Sequence, residues 1–497
     1  MLSVEMQVFM FVVALIIIGA LFFFGFFTSN SGQTTKKQGR LPHDKKQLTK
    51  ALDVGKIGQP LIFHEKRLSA RQLQKDPFRE NPKNRTYSVP CESRGIVFGV
   101  SGSGKTNYIL AQIIDWMRSG KSFVVTDIKP EIWGVLHTNG LFEHFGYTDI
   151  VINPTDPQAT PYNMLNDVVK DSDLDELLAI LIPAASEELK GFANYGRLIF
   201  KAIIYHLQDT NQGEESISLA DAHAFLISAS EFNQLLYTLK KSTARVQKLV
   251  NQAQLSGDNE RFVSSAVSAL LNALDAFNNE VISNNQKNRG SLSKTLTQPR
   301  IAVFLQFEQS SQSLTENLYS ATVQNLINSL MANHRDRDDV LLLLDELLNG
   351  GKIQNLPIKF NLMRSYKLPT FIYVQAMPNL RDRYGRGADE LISACNVRIC
   401  YRTNDQETAE YFSKESGESE NTTTNKSVQS DGKSTKTHIS SQITKERLLS
   451  PHDMNNLKDG EALCVYNGKT AVIPMPIHYK DTLANKRAEC VRPSDIL

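Results

Sequence analysis

Cysteine is scarce in this 497-residue chain: there are five thiols, Cys91, Cys395, Cys400, Cys464 and Cys490, with no C-x-x-C pair and no histidine at ligand spacing. That pattern excludes a disulfide frame and a Cys/His metal centre, and it fits buried or surface thiols in a reducing compartment. A dominant charge is lacking too: the formal net charge is +2, so the global balance points to no partner. No internal repeat is evident. Long apolar runs are absent with one exception, residues 8–27, a nearly unbroken series of Val, Phe, Met, Ile, Leu, Ala and Gly. As a helix it would be about 30 Å long, enough to span a bilayer. No basic segment precedes it and it is too long for a signal-peptide core, which argues against cleavage. Glu5 is the one charged side chain before it, whereas Lys36, Lys37, Arg40, Lys45 and Lys46 follow. The positive-inside rule therefore puts the N-terminus outside and the body of the chain in the cytoplasm.

What is present divides the chain. Its length suggests two or three domains. Residues 1–30 read as a transmembrane anchor and residues 31–85 as a basic tether, whose lysines and arginines could touch DNA or anionic lipid or simply be solvated. Short apolar runs at 96–98, 122–126 and 149–152, separated by helical patterns such as 107–118, predict alternating strands and helices and hence a parallel sheet covered on both faces. From about 172 to 290 the period changes to helical, as in Leu174, Leu177, Leu178 and Leu181, so an all-α domain is expected there. The strand pattern resumes at 301–305, 340–344, 370–374 and 397–401, which makes 86–171 and 291–497 two segments of one α/β domain. Residues 413–442 are rich in Ser, Thr, Asn, Gln and Lys, too poor in apolar side chains to pack, and predict a mobile loop. A closing hairpin is expected around Asn467-Gly468.

The strongest chemical signal is Gly99-Val-Ser-Gly-Ser-Gly-Lys105-Thr106, a full GxxxxGK[ST] loop between a predicted strand and a predicted helix. Its glycines, Gly99, Gly102 and Gly104, with Ser101, Ser103 and the following Asn107, let backbone N–H groups turn around phosphate oxygens. Lys105 reaches the terminal phosphates and Thr106 offers a hydroxyl to Mg²⁺, so the implied ligands are ATP or GTP with Mg²⁺. Asp338 and Asp339, before the run 340–344, read as solvated turn residues, whereas Asp345 and Glu346 follow it. Beside a phosphate loop, an Asp at the end of a buried strand holds the metal shell and a following Glu orients or deprotonates the attacking water. Gln375 ends the apolar strand 370–374, where it could contact the γ-phosphate or its water. Arg364 reads on spacing alone as an exposed helix arginine, although a guanidinium there could stabilise phosphoryl-transfer charge in its own or a neighbouring subunit.

Several stretches together resemble the type IV secretion coupling proteins, the TraG/TraD-type conjugation ATPases. They are Leu341-Leu-Leu-Leu-Asp345-Glu346, Leu362-Met-Arg364-Ser-Tyr366, Phe371-Ile-Tyr-Val-Gln375-Ala-Met-Pro-Asn-Leu380 and Arg383-Tyr384-Gly385. Val125-Thr-Asp127-Ile-Lys129-Pro130, Ile152-Asn153-Pro154, Pro161-Tyr162-Asn163, residues 405–411 and Arg447-Leu-Leu-Ser-Pro451 with Pro476 and Tyr479 agree in order and spacing. The resemblance covers about 95–482. It implies a RecA-like P-loop NTPase domain carrying an all-α domain, assembled as a homo-hexamer on the bacterial inner membrane. Such a motor hydrolyses ATP and moves single-stranded DNA with its relaxosome proteins, or effector proteins, towards the secretion channel subunits. It also implies that Arg364 acts in trans as an arginine finger and that Gln375 senses the γ-phosphate. Members usually carry two membrane helices, whereas this chain offers the single run at 8–27. Two other readings are a duplex-DNA partition translocase of the FtsK/HerA type, whose motif order fits less well, and a substrate receptor whose nucleotide site only gates assembly.

Overall fold

The computed structural model describes residues 85–475, apart from 91, 185, 212–215, 258, 289, 308–311, 349 and 431–434, together with the short stretches 38–39, 53–54 and 59–64. Two compact units result, one formed by residues 1–41 with 416–448 and the other by 42–415 with 449–497.

The larger unit is built on a nine-stranded sheet whose order is β15-β14-β11-β5-β10-β9-β6-β8-β7. Its strands are β5 (Gly95–Phe98), β6 (Phe123–Thr126), β7 (Thr148–Ile152), β8 (Ile301–Leu305), β9 (Leu341–Leu344), β10 (Thr370–Val374), β11 (Val397–Cys400), β14 (Glu461–Tyr466) and β15 (Lys469–Pro474). From β11 to β7 neighbouring strands run parallel. β14 and β15 close the edge antiparallel, joined through Asn467 and Gly468 at φ 46° and 71°. Two positive φ values are what a tight hairpin turn demands, and Asn-Gly supplies them at least cost.

The central strands are four- or five-residue apolar runs with no alternation, because both faces are covered. On one face α1 (Lys105–Arg118) buries Tyr108, Ile109, Leu110, Ile113, Ile114, Trp116 and Met117, and its Trp116 indole donates to the Ser122 carbonyl at 2.9 Å. α2 (Glu131–Thr138) adds Ile132, Trp133, Val135 and Leu136 to the same core. On the other face lies α9 (Gln312–Ala332), with Leu318, Tyr319, Val323, Leu326, Ile327 and Leu330 buried.

Between β7 and β8 the described residues hold helices and no strand. The longer ones are α3 (Asp171–Leu181), α4 (Lys190–Thr210), α5 (Leu219–Ser228), α6 (Phe232–Lys240), α7 (Ala244–Ser256) and α8 (Glu260–Ala273). Leu174, Leu177, Leu178 and Leu181 all point inward on α3, and they share one continuous apolar core with α9 and the sheet. Polar contacts complete the join to the sheet. The Asn285 amide donates to the carbonyls of Asn153, Pro154 and Asp156 at 3.0, 3.1 and 2.9 Å, while its own carbonyl accepts from the Tyr162 N–H at 2.7 Å. Asn163 donates to the Ile217 carbonyl at 3.0 Å. The Asn-Pro and Pro-Tyr-Asn signatures thus belong to this seam, where a loop with few regular backbone bonds needs side-chain partners.

Two readings of the sequence are corrected. The stretch 31–85, expected as a tether, contributes strands: β2 (Asp53–Val54), β3 (Gln59–His64) and β4 (Arg85–Val89) form an antiparallel three-stranded sheet in the order β2-β4-β3. Residues 413–442, expected as a mobile loop, begin inside α11 (Gln406–Ser416) and continue as β12 (Glu418–Ser430), which pairs antiparallel with β13 (Thr435–Arg447). Threonine explains the second miss, since its branched Cβ favours extended backbone whether or not apolar residues accompany it. β1 (Gln38–Gly39) pairs with β12 in the smaller unit. The apolar run at 8–27 lies outside the described residues, and among the described residues no helix is long and apolar enough to cross a membrane.

Candidate nucleotide site

Parallel register brings the carboxyl ends of four strands to one edge. Phe98 is level with Val374, Ile372 with Leu344, and Leu344 with Thr126. The residues that follow these strands are the phosphate loop, Gln375, the Asp345-Glu346 pair and Asp127, so all four leave the sheet on the same side, where ligands of parallel sheets bind. The Thr126 hydroxyl locks two of the exits together by donating to the Asp345 carbonyl at 2.9 Å.

The loop is held in its turn by backbone geometry. Gly102 and Gly104 sit at φ 76° and 111°, conformations that a side chain would strain. A Cβ on Gly99 would come within 2.5 Å of the Ser103 hydroxyl oxygen and 2.9 Å of Tyr401 Cβ. The Gly99 N–H donates to the Val374 carbonyl at 3.3 Å and the Val100 N–H to the Arg402 carbonyl at 3.4 Å, which fastens the loop to β10 and to the exit of β11. The Ser103 hydroxyl oxygen is buried without a hydrogen-bond partner in the loop.

A cleft of about 320 Å³ results, lined by Ser101, Gly102, Gly104, Lys105, Thr106, Asn107, Lys129, Glu131, Ile132, Asp345 and Glu346. The sequence-derived loop residues and the acid pair therefore share one opening. Gln375 lines an adjoining recess of about 20 Å³ together with Lys105, Glu346 and Asn379. Arg364 is not brought to this cleft: it follows α10 (Leu356–Met363), its side chain is 63% exposed, and it pairs with Glu92 at 3.5 Å. Two other arginines fix its surroundings. Arg94 donates to the Phe360 and Asn361 carbonyls, both at 3.0 Å, and the buried Arg337 donates to the Tyr366 carbonyl at 2.9 Å.

Electrostatically the cleft is a frustrated cluster. Lys105 is buried, and its ammonium donates to the Gly99 and Val100 carbonyls at 2.6 and 3.2 Å. Burial holds its pKa below the ordinary value, against the pull of Asp345 and Glu346. Burial first, and then the Glu346 charge, push Asp345 up to about 7. Asp127 is also raised to about 7 by burial, although it accepts from the Ile132 and Trp133 N–H groups at 3.1 and 3.0 Å. Lys129 sits above its ordinary value because it donates to Glu346. Carboxylates kept partly protonated beside a lysine in a polar opening mark a place that favours an incoming ligand carrying both negative charge and a cation.

Lys129, Glu131 and Ile132 line the cleft and Asn379 its recess without belonging to the phosphate-loop or acid-pair motifs. The first three follow Asp127, so the strand exit Asp127-Ile-Lys129 held the signal: a charged turn beside the acid-bearing strand.

The fold and the loop geometry define an α/β protein of the P-loop class. The model of the type IV secretory system conjugative DNA transfer family matches residues 44–493, and the chain belongs to that family. Among solved structures it is similar to the bacterial conjugative coupling protein TrwB lacking its first 70 residues. In the unbound form of that protein the identity is 18%, the TM-score 0.66, and the match covers 94% of this chain and 97% of that one. TrwB in complex with ADP and Mg²⁺ matches at 18% identity and TM-score 0.65, covering 94% and 98%. Its complex with the ATP analogue ADPNP matches at 18% and 0.66, with the same coverage. At this identity the likeness is one of fold. A search of curated protein sequences gives no match.

Proposed function

We propose that this chain is a membrane-anchored ATPase that couples ATP hydrolysis to the passage of single-stranded DNA with relaxosome proteins, or of effector proteins, towards a type IV secretion channel. The observation that carries this reading is the meeting of the phosphate loop and the acid pair in one cleft, in a chain of the conjugative DNA transfer family. TrwB complexes with ADP and Mg²⁺, with the ATP analogue ADPNP and with the GTP analogue GDPNP support a nucleotide with Mg²⁺ as the ligand.

The residues fit both ligands. Gly99, where a Cβ would clash, and the positive-φ glycines 102 and 104 form a cradle that only backbone can line. Ser101, Ser103 and Asn107 complete it. Thr106 and Asp345 offer the oxygen donors that Mg²⁺ takes in small number alongside phosphate oxygens, and the ion would neutralise charge on the terminal phosphates. Lys105 exchanges the loop carbonyls for phosphate oxygens. Glu346 accepts a proton from water as the water oxygen bonds to the γ-phosphorus, and the bond from that phosphorus to the bridging oxygen breaks to release ADP. Gln375, one strand over from the acid pair, orients that water. Arg364, exposed and not among the residues that line its own cleft, serves a neighbouring copy in a homo-hexamer. Residues 8–27 anchor the assembly as a single pass in the inner membrane.

The test is ATP hydrolysis by the full-length protein in detergent, with and without single-stranded DNA. Single-stranded DNA is expected to stimulate turnover more than duplex does. No turnover in either condition contradicts the reading.

A further inference from the structure

The cleft holds one built contact that the chemistry above does not use, the ion pair between Lys129 Nζ and Glu346 Oε1 at 2.8 Å. Both partners are placed by their backbones. Lys129 lies three residues past β6, and the Asp127 carboxylate, accepting from Ile132 and Trp133, closes the turn that carries it. Glu346 stands at φ 46°, in the left-handed region that non-glycine residues seldom occupy. Its N–H donates to Asp345 Oδ1 at 3.0 Å. A strained backbone at a cleft residue persists when its surroundings over-determine it. Here the surroundings aim the carboxylate at the lysine.

The two side chains differ in exposure, 44% for Lys129 against 13% for Glu346. A half-exposed lysine that donates to a carboxylate is weakly held even with Glu131 and Asp345 nearby, so a ligand with greater negative charge in the same cleft can take it. Lys105 is differently engaged, on the loop carbonyls, and Lys129 is therefore the cation whose present partner is the acid itself.

We propose that Lys129 is a positioning residue that distinguishes nucleoside triphosphate from diphosphate: it pairs with Glu346 until a terminal phosphate takes the ammonium, and that exchange releases the Glu346 carboxylate from the lysine. This rests on the cleft being a nucleotide site.

Equilibrium binding of ADPNP and of ADP, each with Mg²⁺, to the full-length protein in detergent tests this without turnover. Lys129→Met is expected to weaken ADPNP about tenfold while leaving ADP unchanged, the loss of one charge-assisted hydrogen bond. Lys129→Arg should restore most of the difference, and Glu346→Gln should tighten ADPNP because the lysine is no longer shared. A Lys129→Met protein that keeps the wild-type ratio of the two affinities, whether both fall or neither does, overturns the proposal while leaving the nucleotide site standing. Wild-type protein that binds neither nucleotide overturns the site itself.

Discussion

The carboxyl edge of the sheet and the helical layer between β7 and β8 are built on opposite plans. At the edge, short strands buried on both faces hold loops whose polar groups are crowded, strained or raised in pKa, as at Gly104, Glu346 and Asp345. In the helical layer a few polar groups are buried, among them Lys201, Ser218 and His223, while large apolar side chains are exposed: Ile227 at 54%, Tyr237 at 60% and Leu255 at 85%. The first region keeps its chemistry by spending stability, while the second is free to vary its surface without disturbing the site. Asn285 is where the two plans meet.

Breaking that join should have the largest structural effect. Asn285→Ala leaves three buried carbonyls without their donor, and a loss of about 3 kcal/mol in unfolding free energy is expected by denaturant titration. An exposed change such as Leu255→Ser should stay within about 0.5 kcal/mol. Equal effects of the two would show that the helical layer does not depend on its polar seam.

Asp345 tests the stability spent at the edge. Its folded pKa is raised, so the folded state binds a proton that the unfolded chain releases near pH 4. Stability is then fully present below that pH and is lost as pH rises towards about 7. Asp345→Asn should stabilise the nucleotide-free protein by up to about 4 kcal/mol at pH 8 and by little at pH 4, read from melting curves at both values. A variant less stable than wild type at pH 8 would remove the contrast between the regions.

Arg364→Ala should change stability least, within about 0.5 kcal/mol, since its pairing with Glu92 is exposed. Turnover of mixed assemblies should nevertheless fall, and normal turnover would discard a role in trans.

Much of the edge was legible because its signals are local: a glycine loop after an apolar run, and Asp345-Glu346 after another. Their convergence needs the sheet order, with β10 between β5 and β9, which no single stretch of sequence states. Lys129 was visible only as part of a strand exit, since its partner lies 217 positions away. The left-handed backbone of Glu346 left no trace at all, because Glu carries no preference for it. In the helical layer the spacing of Leu174, Leu177, Leu178 and Leu181 announced helices but not the Asn285 seam. For 418–447 polar composition outweighed the β-preference of threonine, and the hairpin was missed.

The central claim is that Lys105 and Asp345 act on one magnesium-bound triphosphate. A double-mutant cycle of ADPNP affinity with Mg²⁺, using Lys105→Ala, Asp345→Ala and the pair, measures it directly. The account predicts that the double variant binds no worse than the weaker single one, a coupling of about 1–3 kcal/mol. Strictly additive losses, or an Asp345→Ala protein with unchanged affinity, would contradict it.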